Sequence, residues 1–134
     1  MSRRRALLET ITSVSHTPPP SSDTVNVAIY LDNPGGIGRF TNTNDYLDYV
    51  DFYGDGKAYN FDFKVGQTYY CEIWYTWTED MGWDYEFWIE IIAGDPNNPE
   101  EVNVTHTSLY DTSKWLEAKI VIPDNLFELN IYWM

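Results

Sequence analysis

Tyr70, Trp74 and Trp88 stand among carboxylates in two stretches of alternating character, QTYYCEIWYTWT and WDYEFWIEII. Flat rings on a strand surface stack on sugar rings, and carboxylates beside them accept hydrogen bonds from hydroxyl groups. The two stretches can be laid against each other around Glu79-Asp80-Met81-Gly82. With Trp77 opposite Trp83, Tyr75 meets Tyr85, Ile73 meets Phe87, Cys71 meets Ile89 and Tyr69 meets Ile91, an apolar set fit for a core. The other face then pairs Trp74 with Glu86, Glu72 with Trp88 and Tyr70 with Glu90. A slip of one residue would mix the two faces. This register makes Trp74 and Trp88 diagonal neighbours with Tyr70 nearby. Such a face suits a glycan, or another protein that covers the rings.

The acidic side chains raise calcium as a second chemistry. Asp45, Asp48, Asp51 and Asp55 lie close in sequence, as do Glu79, Asp80 and Asp84. Calcium takes several oxygens from converging loops, and neither cluster has the spacing of an EF-hand. Solvated loop carboxylates explain both, so no metal or other cofactor is expected. Catalysis finds less support still. His16 and His106 are the only histidines, too few for a multi-histidine metal site, and no serine or cysteine has the setting of a nucleophile. Two carboxylates can serve a glycosidase, but in a chain with 21 acids some pair always lies at a suitable distance. The expectation is a protein that is not an enzyme. Cys71 is the one cysteine, which excludes an internal disulfide and reads as a small buried hydrophobe.

The positive charge is concentrated at the start. Arg3, Arg4 and Arg5 give residues 1–23 a net charge of +1, against -14 for residues 24–134. Overall the chain carries -13, which repels phosphates and argues against nucleic acid as a partner. No apolar run approaches the ~20 residues that span a bilayer, and Ala6-Leu7-Leu8, followed at once by Glu9 and Thr10, is too short for a signal-peptide core. Residues 1–14 read instead as a docking arm. Arg3, Arg4 and Arg5 would meet acidic groups on a partner protein, and Leu7 and Leu8 would enter a groove. A helix this short is marginal in water without such a surface. Residues 15–23, SHTPPPSSD, form a linker stiffened by three prolines.

From residue 24 the dominant period is two. TVNVAIYL puts Val25, Val27, Ile29 and Leu31 on one face, and Tyr59, Phe61 and Phe63 alternate with Asn60, Asp62 and Lys64. Strands are predicted in YLDYVDFY and YNFDF about Gly54-Asp55-Gly56, in the two aromatic stretches, and in VNVTH, LEAKIVI and LFELNIYW, the last two as a hairpin through Pro123-Asp124-Asn125. One helical turn is expected within 107–115. About eight short strands with turn signals between them predict an all-β antiparallel sandwich over 24–134, of jelly-roll or immunoglobulin-like type. With 23 aromatic residues, a packed domain is expected despite the charge.

The opening MSRRRALLE resembles the Met-x-Arg-Arg-Arg starts of small structural proteins encoded by tailed phages and prophages of gut bacteria. A short docking arm before a compact β-sandwich also resembles phage head-decoration and head-fibre proteins. The resemblance implies a non-enzymatic virion component. It would attach to capsid or other virion proteins through Arg3, Arg4, Arg5, Leu7 and Leu8, and would work as a homo-oligomer, dimer or trimer. A carbohydrate-binding module using Tyr70, Trp74 and Trp88, with a host glycan as ligand, is the alternative, and the two functions can coexist.

Overall fold

The computed structural model describes residues 23–32, 35–75, 87–112 and 115–133. They form an all-β sandwich of two five-stranded sheets. In chain order the strands are β1 (Thr24–Leu31), β2 (Gly36–Asn42), β3 (Asp45–Tyr53), β4 (Tyr59–Lys64), β5 (Thr68–Tyr75), β6 (Phe87–Ala93), β7 (Asn103–Ser108), β8 (Tyr110–Asp111), β9 (Leu116–Val121) and β10 (Leu126–Trp133). Sheet one has the order β3-β2-β5-β9-β8, and sheet two has β4-β1-β10-β6-β7. A single turn of 3-10 helix, Pro99–Glu101, precedes β7. Among the described residues no helix is long and apolar enough to cross a membrane.

The period-two pattern dictates the inner faces. Val27, Ile29 and Leu31 of β1, Phe63 of β4, Tyr69, Cys71 and Ile73 of β5, and Leu129 and Ile131 of β10 are all buried. Each large side chain so buried contributes roughly 1.5–3 kcal/mol. Aromatic rings fill one part of the core. Phe40 stacks on Phe52 at 5.3 Å and meets Phe63 edge-on at 5.5 Å, and Phe63 meets Tyr69 at 4.8 Å. Cys71 is a free, fully buried thiol, and burial pushes its pKa well up.

Two expectations about pairing and one about local structure are corrected. β5 and β6 do not form a hairpin: β5 lies between β2 and β9, while β6 lies between β10 and β7 in the other sheet. β9 and β10 are likewise in different sheets, so Pro123-Asp124-Asn125 carries the chain across the core and not around a hairpin. Within 107–115, where the sequence predicts a helical turn, residues 107–108 and 110–111 are strand, and 113 and 114 lie outside the described residues. The sandwich also has β2, which the sequence pattern concealed. The buried side of β2 is Gly36, Gly38, Phe40 and Asn42, and two of those four have no side chain to signal burial. The ring of Phe52 occupies the space over Gly38, where a Cβ would stand 2.3 Å from Phe52 Cζ.

Among the described strands all pairs are antiparallel except one. β1 and β10, the first and last of the described strands, run parallel, with Ala28 opposite Glu128 and Leu31 opposite Ile131. One end of the sandwich is closed by turns bonded to each other. Val65 N–H donates to the Asp23 carbonyl (3.1 Å), Gly66 N–H to Ile122 (2.8 Å), Ile122 N–H to Gln67 (3.0 Å) and Gly94 N–H to Asn125 (2.8 Å).

A polar knot sits at that end. Asn42 is 1% exposed, the one buried polar residue among those described. Its Nδ2 donates to Asp48 Oδ2 (3.0 Å) and Gln67 Oε1 (2.6 Å), and its Oδ1 accepts from Asn44 N–H (2.9 Å). The Tyr69 hydroxyl donates to the same Asp48 oxygen and accepts from Lys64 N–H at 3.1 Å. Lys64 Nζ stands 3.7 Å from Asp48 Oδ2. Asp48 reaches this position because the β2–β3 ladder skips residues between Thr41 and Asn42, where Asn42 pairs with Asp45.

Candidate functional site

Tyr70 and Trp74 alternate with the buried Tyr69, Cys71 and Ile73, so both face outward from sheet one. Trp88 alternates with buried Ile89 on sheet two and faces outward on the opposite side of the sandwich. The structure therefore divides the expected face. Tyr70 and Trp74 share one surface, and Trp88 is not their neighbour. The proposed partners Trp77, Trp83, Tyr85 and Glu86 lie outside the described residues, as do the arm residues Arg3, Arg4, Arg5, Leu7 and Leu8.

Neighbouring strands complete the surface around Tyr70 and Trp74. Register places Ile37 between Trp74 and Tyr53, Arg39 between Glu72 and Asp51, and Thr41 between Tyr70 and Tyr49. On the other side of β5, Glu117 is opposite Glu72 and Lys119 is opposite Tyr70. The result is a ring of aromatic side chains about a charged centre. Arg39 is that centre: its Nε donates to Asp51 Oδ1 at 2.6 Å, its Nη2 to Asp51 Oδ2 at 3.0 Å, and its guanidinium lies 4.3 Å over the Tyr49 ring. The fork holds the cation in place, and the bond to Asp51 raises the Arg39 pKa further. Trp115 Nε1 donates to Glu117 Oε1 (3.1 Å) and Tyr70 Oη (3.3 Å), which fixes the phenol against the indole. Glu72 titrates above the usual carboxylate range because burial outweighs the attraction of Arg39, with Glu117 adding repulsion. Burial likewise raises Tyr70. Tyr49 and Tyr53 are each 43% exposed, so the rim presents open rings.

The sequence pattern missed Arg39, Tyr49 and Tyr53 as parts of this surface. Tyr49, Asp51 and Tyr53 carried a signal, since they alternate with Val50 and Phe52. Arg39 carried none, because its strand was not recognised.

Sheet two bears a different cluster. Trp88 meets His106 edge-on at 6.4 Å, and His106 meets Tyr132 at the same distance. His106 Nε2 is 3.4 Å from Glu90 Oε2, and Asn130 Nδ2 donates to Glu90 Oε1 (2.9 Å) and Glu128 Oε2 (2.8 Å). Trp88 Nε1 is buried without a hydrogen-bond partner.

The four aspartates considered for calcium do not converge. Asp45 caps Leu47 N–H (3.1 Å), Asp48 belongs to the polar knot, Asp51 holds Arg39, and Asp55 accepts from the Tyr59 hydroxyl and Lys57 N–H. Glu79, Asp80 and Asp84 lie outside the described residues. Among the described residues no group of three or more His, Cys, Asp or Glu is placed to hold a metal ion. The chain matches no protein-family model, no curated protein and no solved structure.

Proposed function

We propose that this chain is a non-enzymatic structural protein of a virion, a β-sandwich attached to a capsid or tail protein through residues 1–14. The observation that carries the reading is the division of labour along the chain. Among the described residues the buried core runs from Val27 to Ile131, inside a sandwich of two five-stranded sheets. Residues 1–23 hold three arginines and a net charge of +1, while residues 24–134 carry -14. A leading segment of opposite charge to the acidic domain that follows it is suited to acidic groups on a partner. Arg3, Arg4 and Arg5 would set orientation through charge-assisted hydrogen bonds to acidic groups, and Leu7 and Leu8 would supply burial. One arm of this size binds weakly, and several copies on a symmetric particle raise the avidity. Deletion of residues 2–14 is expected to leave a folded sandwich, by circular dichroism and melting, that no longer joins particles in an incorporation assay. Incorporation at the full-length level would overturn the anchor.

A second reading is favoured by the surface around Arg39. Tyr70, Trp74, Tyr49 and Tyr53 offer ring faces, and Asp51, Glu72 and Glu117 offer acceptors, the combination that holds a sugar. A virion protein that also binds a host glycan there would satisfy both readings. Because Trp74 and Trp88 lie on opposite faces, the two single variants discriminate. Trp74→Ala is expected to abolish signal on a glycan array while Trp88→Ala retains it. An array inert to the folded wild-type chain would remove this second function.

A further inference from the structure

Among the described residues four strands stand at the edges of the two sheets: β3 and β8 in sheet one, β4 and β7 in sheet two. An edge strand presents a row of unpaired N–H and C=O groups, and proteins blunt such edges with charges, bulges or shortness. Three of the four are blunted. β3 carries Asp45, Asp48 and Asp51 and is irregular where Asn42 pairs with Asp45. β4 carries Asp62 and Lys64, and β8 is two residues long. β7 has none of these devices. It reads Asn-Val-Thr-His-Thr-Ser, without acid, lysine, arginine or proline, in a chain of net charge -13. Its register with β6 is unbroken from Asn103 to Ser108, and every residue but Thr107 is exposed.

The phase of the ladder shows which groups are free to pair. Leu109 N–H donates to the Phe87 carbonyl at 2.8 Å, continuing the β6–β7 ladder. In an antiparallel pair, alternate residues turn both backbone groups to the same neighbour. Thr105 and Thr107 therefore face β6, and Val104, His106 and Ser108 turn their N–H and C=O groups away from the sheet.

We infer that β7 is the strand through which two copies of this chain pair, antiparallel and about a two-fold axis, joining their copies of sheet two into one continuous sheet. A two-fold axis brings a strand against its own sequence. For β3, with Asp45, Asp48 and Asp51 and no cation, that would set carboxylates close to carboxylates. For β7 it sets valine, histidine, serine and threonine against one another, and the outward backbone groups of each copy complete those of the other. Glu90, one strand behind His106, has its Oε2 3.4 Å from Nε2. Repulsion between the rest of the two acidic copies is screened at physiological salt, where the Debye length is about 8 Å. The inference deepens the repeated-copy part of the virion reading and rests on it only in that copies meet. The arm takes no part.

Sedimentation of the full chain over a concentration series at physiological salt tests it. The wild type is expected to form dimers. His106→Pro removes an outward N–H and spares the bonds to β6, a place where an edge strand accepts proline. Val104→Lys puts a cation at an outward position of both copies. Each is expected to weaken dimerisation about tenfold or more, with far-UV circular dichroism unchanged. If His106→Pro does not fold, Val104→Lys decides alone. The chain lacking residues 2–14 is expected to dimerise like the wild type, even where it fails to join particles. A wild type that stays monomeric, or a Val104→Lys variant that dimerises as tightly as wild type, overturns the edge contact. Loss of the dimer on arm deletion alone also overturns it, and leaves the arm as anchor standing.

Discussion

Asp48→Ala is expected to cost the sandwich about 3 kcal/mol, measured by urea unfolding at neutral pH. The carboxylate is only 12% exposed and serves three donors at once: the Tyr69 hydroxyl, the Asn42 amide and Lys64 Nζ. Its removal leaves a fully buried phenol and a fully buried amide each short of an acceptor, and a buried polar group without a partner costs about 1–3 kcal/mol. Tyr69→Phe is expected to cost about 1–2 kcal/mol, since it removes one donor and keeps the ring in the aromatic core. The same pair gives a pH signature. Burial and the bond to Asp48 push the Tyr69 pKa up to about 12, whereas an unfolded tyrosine titrates near 10. The folded state thus holds the proton more tightly. The stability this confers is complete below about pH 10 and is lost as pH rises toward 12. Tyr59, held to about 12 by its bond to Asp55, acts in the same direction from the surface. Tyr69→Phe should therefore show a shallower loss of stability between pH 9 and 11 than the wild type, without abolishing it. Equal slopes would mean that Tyr69 is not linked to folding as its contacts imply.

Gly94→Ala is expected to be at least as damaging, about 3 kcal/mol or more, with a fall in melting midpoint rather than a local change. Gly94 has φ 128°, a region that side chains rarely adopt. A Cβ there would stand 2.2 Å from the Glu101 carbonyl oxygen and 2.9 Å from Val102 Cα. Both obstacles are backbone, so no side chain can swing aside. The residue also ties β6 to the β9–β10 turn through Gly94 N–H and the Asn125 carbonyl. Gly38→Ala makes an informative comparison. Its Cβ would meet Phe52 Cζ at 2.3 Å and Ile73 Cδ1 at 2.7 Å, both side-chain atoms. A smaller residue at 52 should therefore relieve Gly38→Ala, while no second substitution is expected to relieve Gly94→Ala.

The inner faces were legible because alternation reports burial directly. Tyr69, Cys71, Ile73 and Ile89 are buried as the pattern demands. Pairing was not legible, and β5 with β6 shows why. Two strands with apolar inner sides give the same matched pattern whether they lie side by side in one sheet or face to face across the core. The hairpin register fitted every apolar residue and was still the wrong neighbourhood. β2 escaped for another reason: its burial is written in the ring of Phe52, one strand away, and glycine carries no hydropathy to reveal it. The candidate surface suffered from both effects. Alternation alone puts Tyr70 and Trp74 on the outer side of their strand. The hairpin pattern joins Trp88 to them although it lies on the other sheet, and Arg39 stays hidden with β2.

The parallel alignment of β1 with β10 fixes where force enters and leaves the domain. Two neighbouring strands that run the same way put the chain's entry and exit at opposite ends, roughly 26 Å apart for eight residues at about 3.3 Å each. A load applied between the leading segment and the last strand would pull β1 and β10 past each other. All hydrogen bonds of that ladder would then resist together, in shear, instead of opening one after another as in a zipper. Were the first residues to tether the domain, as proposed, they would hold it at the end closed by the bonded turns, with its far end pointing away from the partner.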